Sequence, residues 1–357
     1  MIRRPLRIAL VAPLVSPIAE PFLGGSQALL FDLACELARR GQAVTLFAAD
    51  RSYVPGAEVV TLGIDPALMA PAAFSGPDPS DPAGRERERL AFLRIAYEVR
   101  RRAADFDLVH NHAFDAPAFE LLGQSHGRVV HTLHLPPVLD RVVEAAAAAS
   151  RQATMVTVSR SMAGAWRPWV GESRVILNGV PVARIAPGPP VAGRWLFVGR
   201  IAPEKGIEDA LAVAESAGRR LRVVGGVYDA AYHAGLQNRL ALHDAIGAQP
   251  RDRVFTEMGS AQGLLMPARW EEPFGLTAVE AMAAGTPVAG YARGALAEVV
   301  AEGVSGFLVP GGDVEALAGA AGRLETLDRD ACRAWAVRRF DLARTVEEHL
   351  RLYRELA

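Results

Sequence analysis

Two carboxylates that could bind hydroxyl groups, Glu272 and Glu280, lie on either side of a Pro-Phe-Gly turn in the segment WEEPFGLTAVEAMAAGTPV. The residues after this turn predict a helix that begins near Leu276. The first turn of a helix presents unpaired N–H groups and the positive end of the helix dipole, so a diphosphate can bind there without a metal ion. An ionised carboxylate accepts several hydrogen bonds, and sugar or ribose hydroxyls are its expected partners. The alternative is two solvated glutamates, one of which interacts with the helix dipole.

Two cations, Arg200 and Lys205, follow a predicted strand in the segment FVGRIAPEKG. The strand ends at Gly199, and the loop that carries both cations leads into the next helix. Cations at this spacing can bracket a diphosphate, and arginine adds a planar, bidentate set of donors. A surface salt bridge with Glu204 is the structural alternative. Because this loop and the two carboxylates lie in the same half of the chain, we favour phosphate binding.

A Gly-Gly turn, Gly24-Gly25, follows the first predicted strand after a long loop, Pro13–Leu23. Two glycines allow the backbone to approach a ligand closely, and Ser26 is expected to cap the next helix. A flexible turn without a ligand is an equal alternative. The turn does not match GxGxxG, so an NAD-dependent enzyme loses support.

Four histidines lie at the ends of two predicted strands, in the segments DLVHNH and VVHTLH. Such strand ends face the ligand-binding edge of a doubly wound sheet, so at least one of these histidines is expected to meet a ligand. Their spacing would also allow a metal site. However, no acidic or cysteine ligand lies nearby in the sequence, and we predict no bound metal. Hydrogen bonding of His110 and His131 to backbone carbonyls is the structural alternative. The candidates near an acceptor are His110, Asn111 and His112.

Short β-rich runs alternate with helical patterns in both halves of the chain, which predicts βαβ units and parallel sheets. The Pro- and Gly-rich stretch APGPP, Ala186–Pro190, separates the halves. We predict an α/β fold of two doubly wound, Rossmann-like domains, residues 1–186 and 187–339. A C-terminal helix, at about residues 340–357, is expected to pack back onto the first domain. Ligands are expected in the cleft between the halves, beyond the carboxyl ends of the strands.

A charged helix is predicted over residues 81–105, and its expected apolar stripe is Leu90, Leu93, Ile95, Ala96 and Val99. Its basic residues, within 85–102, could touch an anionic membrane or an acidic acceptor. Glu86 and Glu88 interrupt the positive charge, so a solvated outer face is favoured. The preceding Pro- and Ala-rich loop, Ile64–Pro82, is either a mobile part of an acceptor pocket or a disordered linker.

The composition is ordinary for a soluble globular enzyme, because the 357 residues are 50% hydrophobic and 22% charged, with a net charge of -1. A nucleic-acid-binding domain would be strongly basic, so no nucleic-acid partner is expected. Cys35 and Cys332 lie far apart inside helical patterns and are expected to be buried thiols. The apolar N-terminal run fits a buried strand better than a signal peptide, and no apolar stretch approaches the roughly 18 residues that span a bilayer. We therefore expect a cytoplasmic protein.

These motifs resemble those of the retaining glycosyltransferases of family 4, which have the two-domain GT-B fold. Glu272 and Glu280 are separated by seven residues, as in the family's E-x7-E motif, and residues 199–206 match its G-R-x-x-x-x-K-G motif. The Gly-Gly loop, a histidine in VVHTLH and the NGV at Asn178–Val180 extend the resemblance over most of the chain. The two motifs together are highly specific for the family.

The resemblance implies that the C-terminal half binds a nucleotide-diphosphate sugar and that the N-terminal half binds the acceptor. UDP or GDP is the expected nucleotide, and dTDP stays open. Arg200 and Lys205 would hold the diphosphate and stabilise the leaving group. Glu280 would bind the ribose, Glu272 the sugar hydroxyls at C3 and C4, and His134 the sugar near its C6 oxygen. The donor-binding residues implied are Gly24, Gly25, Gly199, Phe274, Gly275, Leu276 and Glu280.

The implied reaction is sugar transfer with retention at the anomeric carbon, along a front-face path in which the departing phosphate takes the acceptor's proton. The family uses no divalent metal, and no other cofactor is implied. The acceptor is not identified, and a monomer or a homodimer is expected. The Ala/Arg/Gly-rich composition indicates a GC-rich bacterial genome, and a compact chain of this type would suit secondary metabolism. One departure from the family is that Arg251–Pro267 is short, which leaves little room for the helix that helps to form the nucleobase pocket.

Two other functions remain open. A nucleotide-sugar epimerase or a sugar phosphorylase of the same fold would need carboxylates in the acceptor half, where Asp115 and Asp140 are the candidates. A non-catalytic sugar-binding protein is less favoured, because it would be expected to have an export signal and no phosphate-binding cations.

Overall fold

The computed structural model describes residues 4–69 and 81–357. These residues form two compact units. Unit 1 comprises the described residues up to Asn178 together with Ala343–Ala357, and unit 2 comprises Gly179–Leu342. The chain thus enters unit 2 shortly before the Pro-rich stretch at which the sequence divided the domains.

Unit 1 is built on a seven-stranded parallel sheet. Its strands are β1 (Arg7–Val11), β2 (Ala43–Phe47), β3 (Glu58–Val60), β4 (Leu108–Asn111), β5 (Val129–Leu133), β6 (Thr154–Thr157) and β7 (Arg174–Val175). They lie in the order β3-β2-β1-β4-β5-β6-β7. The order reverses between β1 and β4, and in doubly wound sheets ligands bind outside the carboxyl ends of the strands at such a point.

The helices that follow these strands are α1 (Gly25–Arg39), α2 (Pro82–Arg101), α3 (Ala116–Leu122), α4 (Asp140–Ala149) and α5 (Arg160–Val170). Gly41 terminates helix α1, because it adopts a positive φ of 78° and donates its N–H to the carbonyl of Ala38 over 2.8 Å. The central strands are apolar and buried, since helices cover a parallel sheet on both faces.

Helix α2 buries a different face from the one predicted. Leu90 is 46% exposed, whereas Ala91 and Phe92 are buried. Phe92, Ile95 and Val99 recur at the three- and four-residue spacing of one helix face, and Leu90 falls outside that stripe. The prediction for Leu90 was therefore wrong. Most of the loop Ile64–Pro82, at residues 70–80, lies outside the described residues.

Unit 2 is built on a six-stranded parallel sheet. Its strands are β8 (Trp195–Val198), β9 (Leu221–Val224), β10 (Asp244–Ala245), β11 (Gly263–Met266), β12 (Val288–Tyr291) and β13 (Gly306–Val309). They lie in the order β10-β9-β8-β11-β12-β13. Its helices are α6 (Ile207–Ser216), α7 (Ala230–Leu240), α8 (Arg251–Ser260), α9 (Leu276–Ala283), α10 (Leu296–Val299), α11 (Val314–Arg323) and α12 (Arg329–Phe340).

The segment Arg251–Pro267 holds a complete helix, α8, followed by β11. The expectation that this stretch is too short for a helix was wrong. Strand β10 is two residues long, and the loops on either side of α8 are short. The segment is therefore shorter than in the family because the strand and the loops are short, and the helix is kept.

The last helix, α13 (Leu342–Leu356), returns the chain to unit 1. Leu350, Leu352 and Tyr353 of this helix are buried. Leu352 packs in a cluster with Val130 of β5 and Ile176. Across the described residues, no helix combines the length and apolar character that crossing a bilayer requires. The two parallel α/β units confirm the predicted fold class.

Candidate functional site

Lys205, Glu272 and Trp270 form one hydrogen-bonded group in unit 2. Lys205 ends a short 3-10 turn after β8, and Glu272 lies in the loop between β11 and α9. The Nζ of Lys205 donates to Oε2 of Glu272 over 3.1 Å, and Nε1 of Trp270 donates to the same oxygen over 2.9 Å. The ammonium lies 4.8 Å from the centroid of the Trp270 ring, within the range of a cation–π contact. Glu272 is 8% exposed, so its interpretation as a solvated glutamate was wrong.

Arg200 lies on the same loop as Lys205. Its Nη2 donates to Oε1 of Glu204 over 3.4 Å, so the salt bridge considered from the sequence is present. The guanidinium also lies 4.3 Å from the ring centroid of Tyr228, a contact that the sequence analysis missed. A 3.4 Å separation is long for a charge-assisted hydrogen bond, so a phosphate oxygen can compete for this guanidinium.

Helix α9 begins at Leu276, as predicted, directly after a glycine in the left-handed region. Gly275 has φ 91° and ψ 48°, and a β-carbon there would lie 2.7 Å from the Leu296 side chain. Only glycine fits this position without strain. Because Gly275 has no side chain with which to cap the helix, the first N–H groups of α9 are left for another partner, such as an anion.

Phe274, which was a donor-binding candidate, turns its side chain into the core. It is 2% exposed, and its ring packs on that of Phe340 with the centroids 5.7 Å apart. Phe274 therefore anchors the turn before α9, and any contact it makes with a ligand is through its backbone.

Glu280, in the second turn of α9, is paired with Arg251 at the start of α8. Nη2 of Arg251 donates to Oε1 of Glu280 over 3.0 Å, and the two side chains are 11% and 14% exposed. The guanidinium lies 5.2 Å from the ring centroid of Phe255. The sequence analysis did not identify Arg251.

A second network fastens the loop of Glu272 to helix α6. The guanidinium of Arg269 bonds both oxygens of Asp209, over 2.6 Å and 3.2 Å, and Oε2 of Glu208 over 2.8 Å. Tyr291 donates its hydroxyl to Asp209 over 2.9 Å. The Asp209 and Glu208 carboxylates raise the pKa of Arg269, and burial raises the pKa of Tyr291. The loop that bears Glu272 is thus held to the helix that follows Lys205.

The glycine candidates lie in connections between a strand and the next helix or at the start of that helix. Gly24 immediately precedes α1 and Gly25 is its first residue, so the first turn of α1 follows the Gly-Gly turn directly. Ser26 lies inside that turn and hydrogen-bonds Oε1 of Gln27 over 3.0 Å, so the prediction that it caps α1 was wrong. In unit 2, Gly199 follows β8 and donates its N–H to the carbonyl of Val224 over 3.0 Å.

The histidines of β4 and β5 form a hydrogen-bonded cluster inside unit 1. Nδ1 of His110 lies 2.6 Å from the hydroxyl of Tyr353, and its Nε2 lies 2.7 Å from Oγ1 of Thr132. His112 bridges this group to His134, with 3.2 Å to Nδ1 of His110 and 3.0 Å to Nε2 of His134. The partners of His110 are side chains, so the structural alternative of bonds to backbone carbonyls does not hold for it.

His131 is held separately. Its Nδ1 lies 3.0 Å from Nδ2 of Asn111, and its ring stacks on Phe119 with the centroids 4.8 Å apart. Its partner is therefore also a side chain. Asn111 accepts the N–H of Ala113 through Oδ1 over 3.0 Å, so this acceptor candidate is tied into the turn after β4.

Burial lowers the pKa of every histidine in this region. The pKa of His131 and of His134 falls to about 3, and that of His349 to about 4. The pKa values of His110 and His112 are well below the usual 6.5. Burial is the largest cause, and the positive charge of neighbouring histidines lowers both values further. All five rings are neutral at neutral pH.

The carboxylates named for an epimerase lie in different surroundings. Asp115 and Glu88 are both buried and hydrogen-bonded to each other, and burial with the Glu88 charge raises the pKa of Asp115 well above its usual value. Asp115 therefore retains its proton more readily than an exposed aspartate. Asp140 is exposed at the start of α4. Within residues 4–69 and 81–357, no group of three His, Cys, Asp or Glu side chains is arranged to hold a metal ion.

Two family models match the chain, one in each half. The model described as "Glycosyltransferase Family 4" matches residues 23–184, and the model described as "Glycosyl transferases group 1" matches residues 193–337. Together the two models cover most of the chain, which is a glycosyltransferase of the family 4 type. The resemblance inferred from the E-x7-E and G-R-x-x-x-x-K-G motifs is thereby confirmed, and the protein is a glycosyltransferase enzyme.

Known glycosyltransferases are similar to this one along its whole length. The D-inositol 3-phosphate glycosyltransferase of Nocardia farcinica is 29% identical over 98% of this chain and 90% of its own. Sucrose-phosphate synthase from Thermosynechococcus elongatus superposes with a TM-score of 0.79, at 23% identity, over 98% of this chain and 99% of that one. An Anabaena protein solved in complex with UDP-glucose superposes with a TM-score of 0.76, at 18% identity, over 98% of this chain and 100% of that one. These likenesses support the GT-B fold for this glycosyltransferase.

Proposed function

We propose that this glycosyltransferase moves a sugar from a nucleotide-diphosphate sugar to an acceptor hydroxyl, with retention at the anomeric carbon and without a metal ion. The observation that carries the proposal is the 3.1 Å ion pair between Lys205 and Glu272, in the loop that leads to the N-terminus of α9. A cation suited to a diphosphate and a carboxylate suited to sugar hydroxyls are thus one hydrogen bond apart. The UDP-glucose bound by the Anabaena protein supports a UDP-sugar as the first donor to test.

Lys205 exchanges partners in this proposal. The diphosphate binds at the first N–H groups of α9, at Gly275 and Leu276, and attracts the Lys205 ammonium away from Glu272. Glu272 is then available to accept hydrogen bonds from the sugar hydroxyls at C3 and C4. Because both partners of the pair acquire new partners together, neither charge is left buried and unpaired.

The remaining donor groups take the roles that the family motif assigns. Arg200 leaves its long bond to Glu204 for a phosphate oxygen, Glu280 binds the ribose, and His134 contacts the sugar near C6. Gly25 approaches the diphosphate through its backbone.

Catalysis by this arrangement is electrostatic. As the bond from the anomeric carbon to the leaving phosphate breaks, negative charge builds on that phosphate, and Arg200, Lys205 and the α9 amides stabilise it. The departing phosphate oxygen takes the proton of the acceptor hydroxyl, which attacks from the same face of the sugar. No protein base is needed, which accords with the lowered pKa of the buried histidines, because burial makes each imidazole a weak base.

A cyclitol hydroxyl is the proposed acceptor. The Nocardia relative, named for D-inositol 3-phosphate, aligns with 98% of this chain and therefore includes the half that binds the acceptor in this family. Inositol phosphates are accordingly the first acceptors to assay, with other polyols as comparisons.

Thermal stabilisation by UDP, GDP and dTDP, followed by assays with the matching sugar nucleotides, tests the proposal. One nucleotide should raise the Tm, and its sugar derivative should be hydrolysed slowly or transferred to an inositol phosphate in EDTA. Proton NMR of the product from an α-linked donor should show an α-glycoside. A β-glycoside would rule out retention, and loss of activity in EDTA that added Mg²⁺ restores would rule out metal independence. Stabilisation by a free monosaccharide, and by none of the nucleotides, would favour a sugar-binding protein.

A further inference from the structure

The histidine cluster of unit 1 is a continuous hydrogen-bonded chain that reaches from Tyr353 on α13 to His134 at the end of β5. The distances along it are 2.6 Å from Tyr353 to His110, 3.2 Å from His110 to His112, and 3.0 Å from His112 to His134. The members are at most 6% exposed. Nothing in the proposed reaction uses His110, His112 or Tyr353, so this hydrogen-bonded chain of side chains needs an explanation of its own.

In a hydrogen-bonded chain of neutral imidazoles, all the N–H groups must point the same way along the chain, toward one end or toward the other. A neutral ring has one N–H donor and one acceptor nitrogen. If His112 accepts from His134 through Nδ1, it must donate through Nε2 to His110. If it donates to His134 through Nδ1, it must accept from His110. The state of His110 at one end therefore fixes which nitrogen of His134 carries the proton at the other.

Tyr353 and Thr132 compete to set the state of His110. In the first arrangement Tyr353 donates to Nδ1, and Nε2 donates to Oγ1 of Thr132. In the second, Thr132 donates to Nε2, and Nδ1 carries the proton. Across the described residues, each of the two hydroxyls has His110 as its hydrogen-bond partner, so the first arrangement leaves the Thr132 hydroxyl proton without an acceptor and the second leaves the Tyr353 proton without one.

The first arrangement is favoured because a phenol is a stronger proton donor than an alcohol. Nδ1 of His110 then accepts two donors, a close one from Tyr353 and a longer one, at 3.2 Å, from His112. Every N–H of the chain has an acceptor in this arrangement.

We propose that Tyr353 is a positioning residue whose hydroxyl, acting through His110 and His112, fixes His134 as the tautomer protonated on Nε2. The Nδ1 of His134 is then a hydrogen-bond acceptor. This nitrogen can accept a hydrogen bond from a ligand group that donates one, such as a sugar hydroxyl. It cannot bond to a group that only accepts hydrogen bonds, such as a carboxylate. The assignment of a sugar contact to His134 rests on the proposed function, whereas the tautomer does not.

Long-range ¹H–¹⁵N correlation spectra of the full-length protein labelled with ¹⁵N-histidine test the tautomer directly. In the wild type, His110, His112 and His134 should all be protonated on Nε2. In Tyr353→Phe, which removes the hydroxyl and leaves the ring, Thr132 becomes the donor to His110, and all three should change to Nδ1. The matched control is Thr345→Val, which removes another buried hydroxyl of α13, bonded to the Leu177 carbonyl over 2.8 Å, and should change none.

Kinetics supply a second readout that a merely structural role would not move. Tyr353→Phe should lower kcat by about tenfold, the equivalent of one lost hydrogen bond, and leave the thermal shift by free UDP or GDP unchanged. Thr345→Val should retain wild-type kcat. A wild-type His134 protonated on Nδ1 overturns the proposal even if the variant does not fold. Unchanged tautomers in a folded Tyr353→Phe overturn it as well. If the tautomers change and kcat does not, the control of the His134 tautomer by Tyr353 is supported and the contact between His134 and the sugar is rejected.

Discussion

Lys205 and Glu272 are joined by an ion pair of 3.1 Å although they lie on two different loops of unit 2. Lys205 is also the single lysine of the sequence, because the other residues among its 39 lysines and arginines are all arginine. Lysine is a compact point charge that binds phosphate without a fixed geometry, whereas arginine imposes a planar fork. The use of lysine at this one position therefore suits a cation that moves between a carboxylate and a phosphate.

Amine-selective acylation should inactivate the enzyme at this one side chain. With acetyl N-hydroxysuccinimide, peptide mass spectrometry should find label on Lys205 and the α-amino group, and transfer should fall by about a hundredfold because the diphosphate loses its cation. The nucleotide that gives the largest thermal shift should protect. Lys205→Arg, treated in the same way, controls for the α-amino group and should lose no further activity. Full activity of a completely acylated enzyme would contradict this role.

Removal of either partner should cut transfer by at least about a hundredfold. Lys205→Ala removes charge stabilisation of the leaving phosphate, and Glu272→Ala removes contacts to the sugar. Because the two residues contact each other, the double variant should lose less than the product of the two single losses. The measurement is kcat/KM for the donor, with Arg253→Ala, on the exposed face of α8, as the control. Wild-type turnover in both single variants would refute the assignment.

Trp270 should matter through its N–H. Trp270→Phe keeps an aromatic ring beside Lys205 and removes the 2.9 Å hydrogen bond to Glu272. Glu272 then loses one of two donors to Oε2, and we expect a roughly tenfold lower kcat with little change in nucleotide binding. The two quantities are separated by steady-state kinetics and by titration with the free nucleotide. Equal losses in both would indicate a general distortion of the loop.

Arg251 should be needed for recognition of the ribose. Its 3.0 Å bond fixes the direction of Glu280 and offsets the charge of that carboxylate near a diphosphate. In the wild type, UDP and GDP should bind at least about tenfold more tightly than their 2′-deoxy forms, since a carboxylate placed for a hydroxyl loses its partner. In Arg251→Ala that preference should shrink, while Arg253→Ala should retain it. Isothermal titration with both pairs of nucleotides checks this, and an undiminished preference would exclude the role.

Much of the fold and part of the site were predictable because the signals are local. The alternation of strand and helix patterns predicted both sheets, and the Pro-Phe-Gly turn predicted the start of α9 at Leu276. The contacts that the sequence missed join distant residues. Arg251 reaches Glu280 from another helix, and Tyr353 reaches His110 from the far end of the chain. Neither pair has a spacing that a helical or strand period could reveal, and each depends on how the packed elements meet.

The same reasoning explains two errors. Leu90 is as apolar as its neighbours, and only the packing of α2 decides which face is buried. The helix α8 was overlooked because the segment is short beside the family pattern, although its own sequence tolerates a helix of ten residues.

Acid should destabilise unit 1 through its buried histidines. Each has an unfolded pKa near 6.5 and a lower folded value, about 3 for His131 and His134 and about 4 for His349. Above about pH 6.5 both states are neutral and the histidines have no effect on stability. Below it the unfolded chain binds protons that the folded chain does not, so stability falls with falling pH by up to about 1.4 kcal/mol per pH unit for each histidine.

Other groups act outside this window or in the opposite sense. The pKa of Asp107 is lowered to about 2 by the Arg7 guanidinium, so its contribution is lost only below about pH 4. The raised pKa of Asp115 works against the histidines, because the folded state holds that proton more tightly, but it is one group against five. Urea midpoints should therefore fall steeply between pH 6.5 and 5, above the range in which the contribution of Asp107 is lost. His131→Phe, which keeps a ring on Phe119 and removes one titrating group, should make the slope shallower, whereas His233→Gln in unit 2 should not. A midpoint independent of pH over that range would show that these histidines are not held neutral by burial.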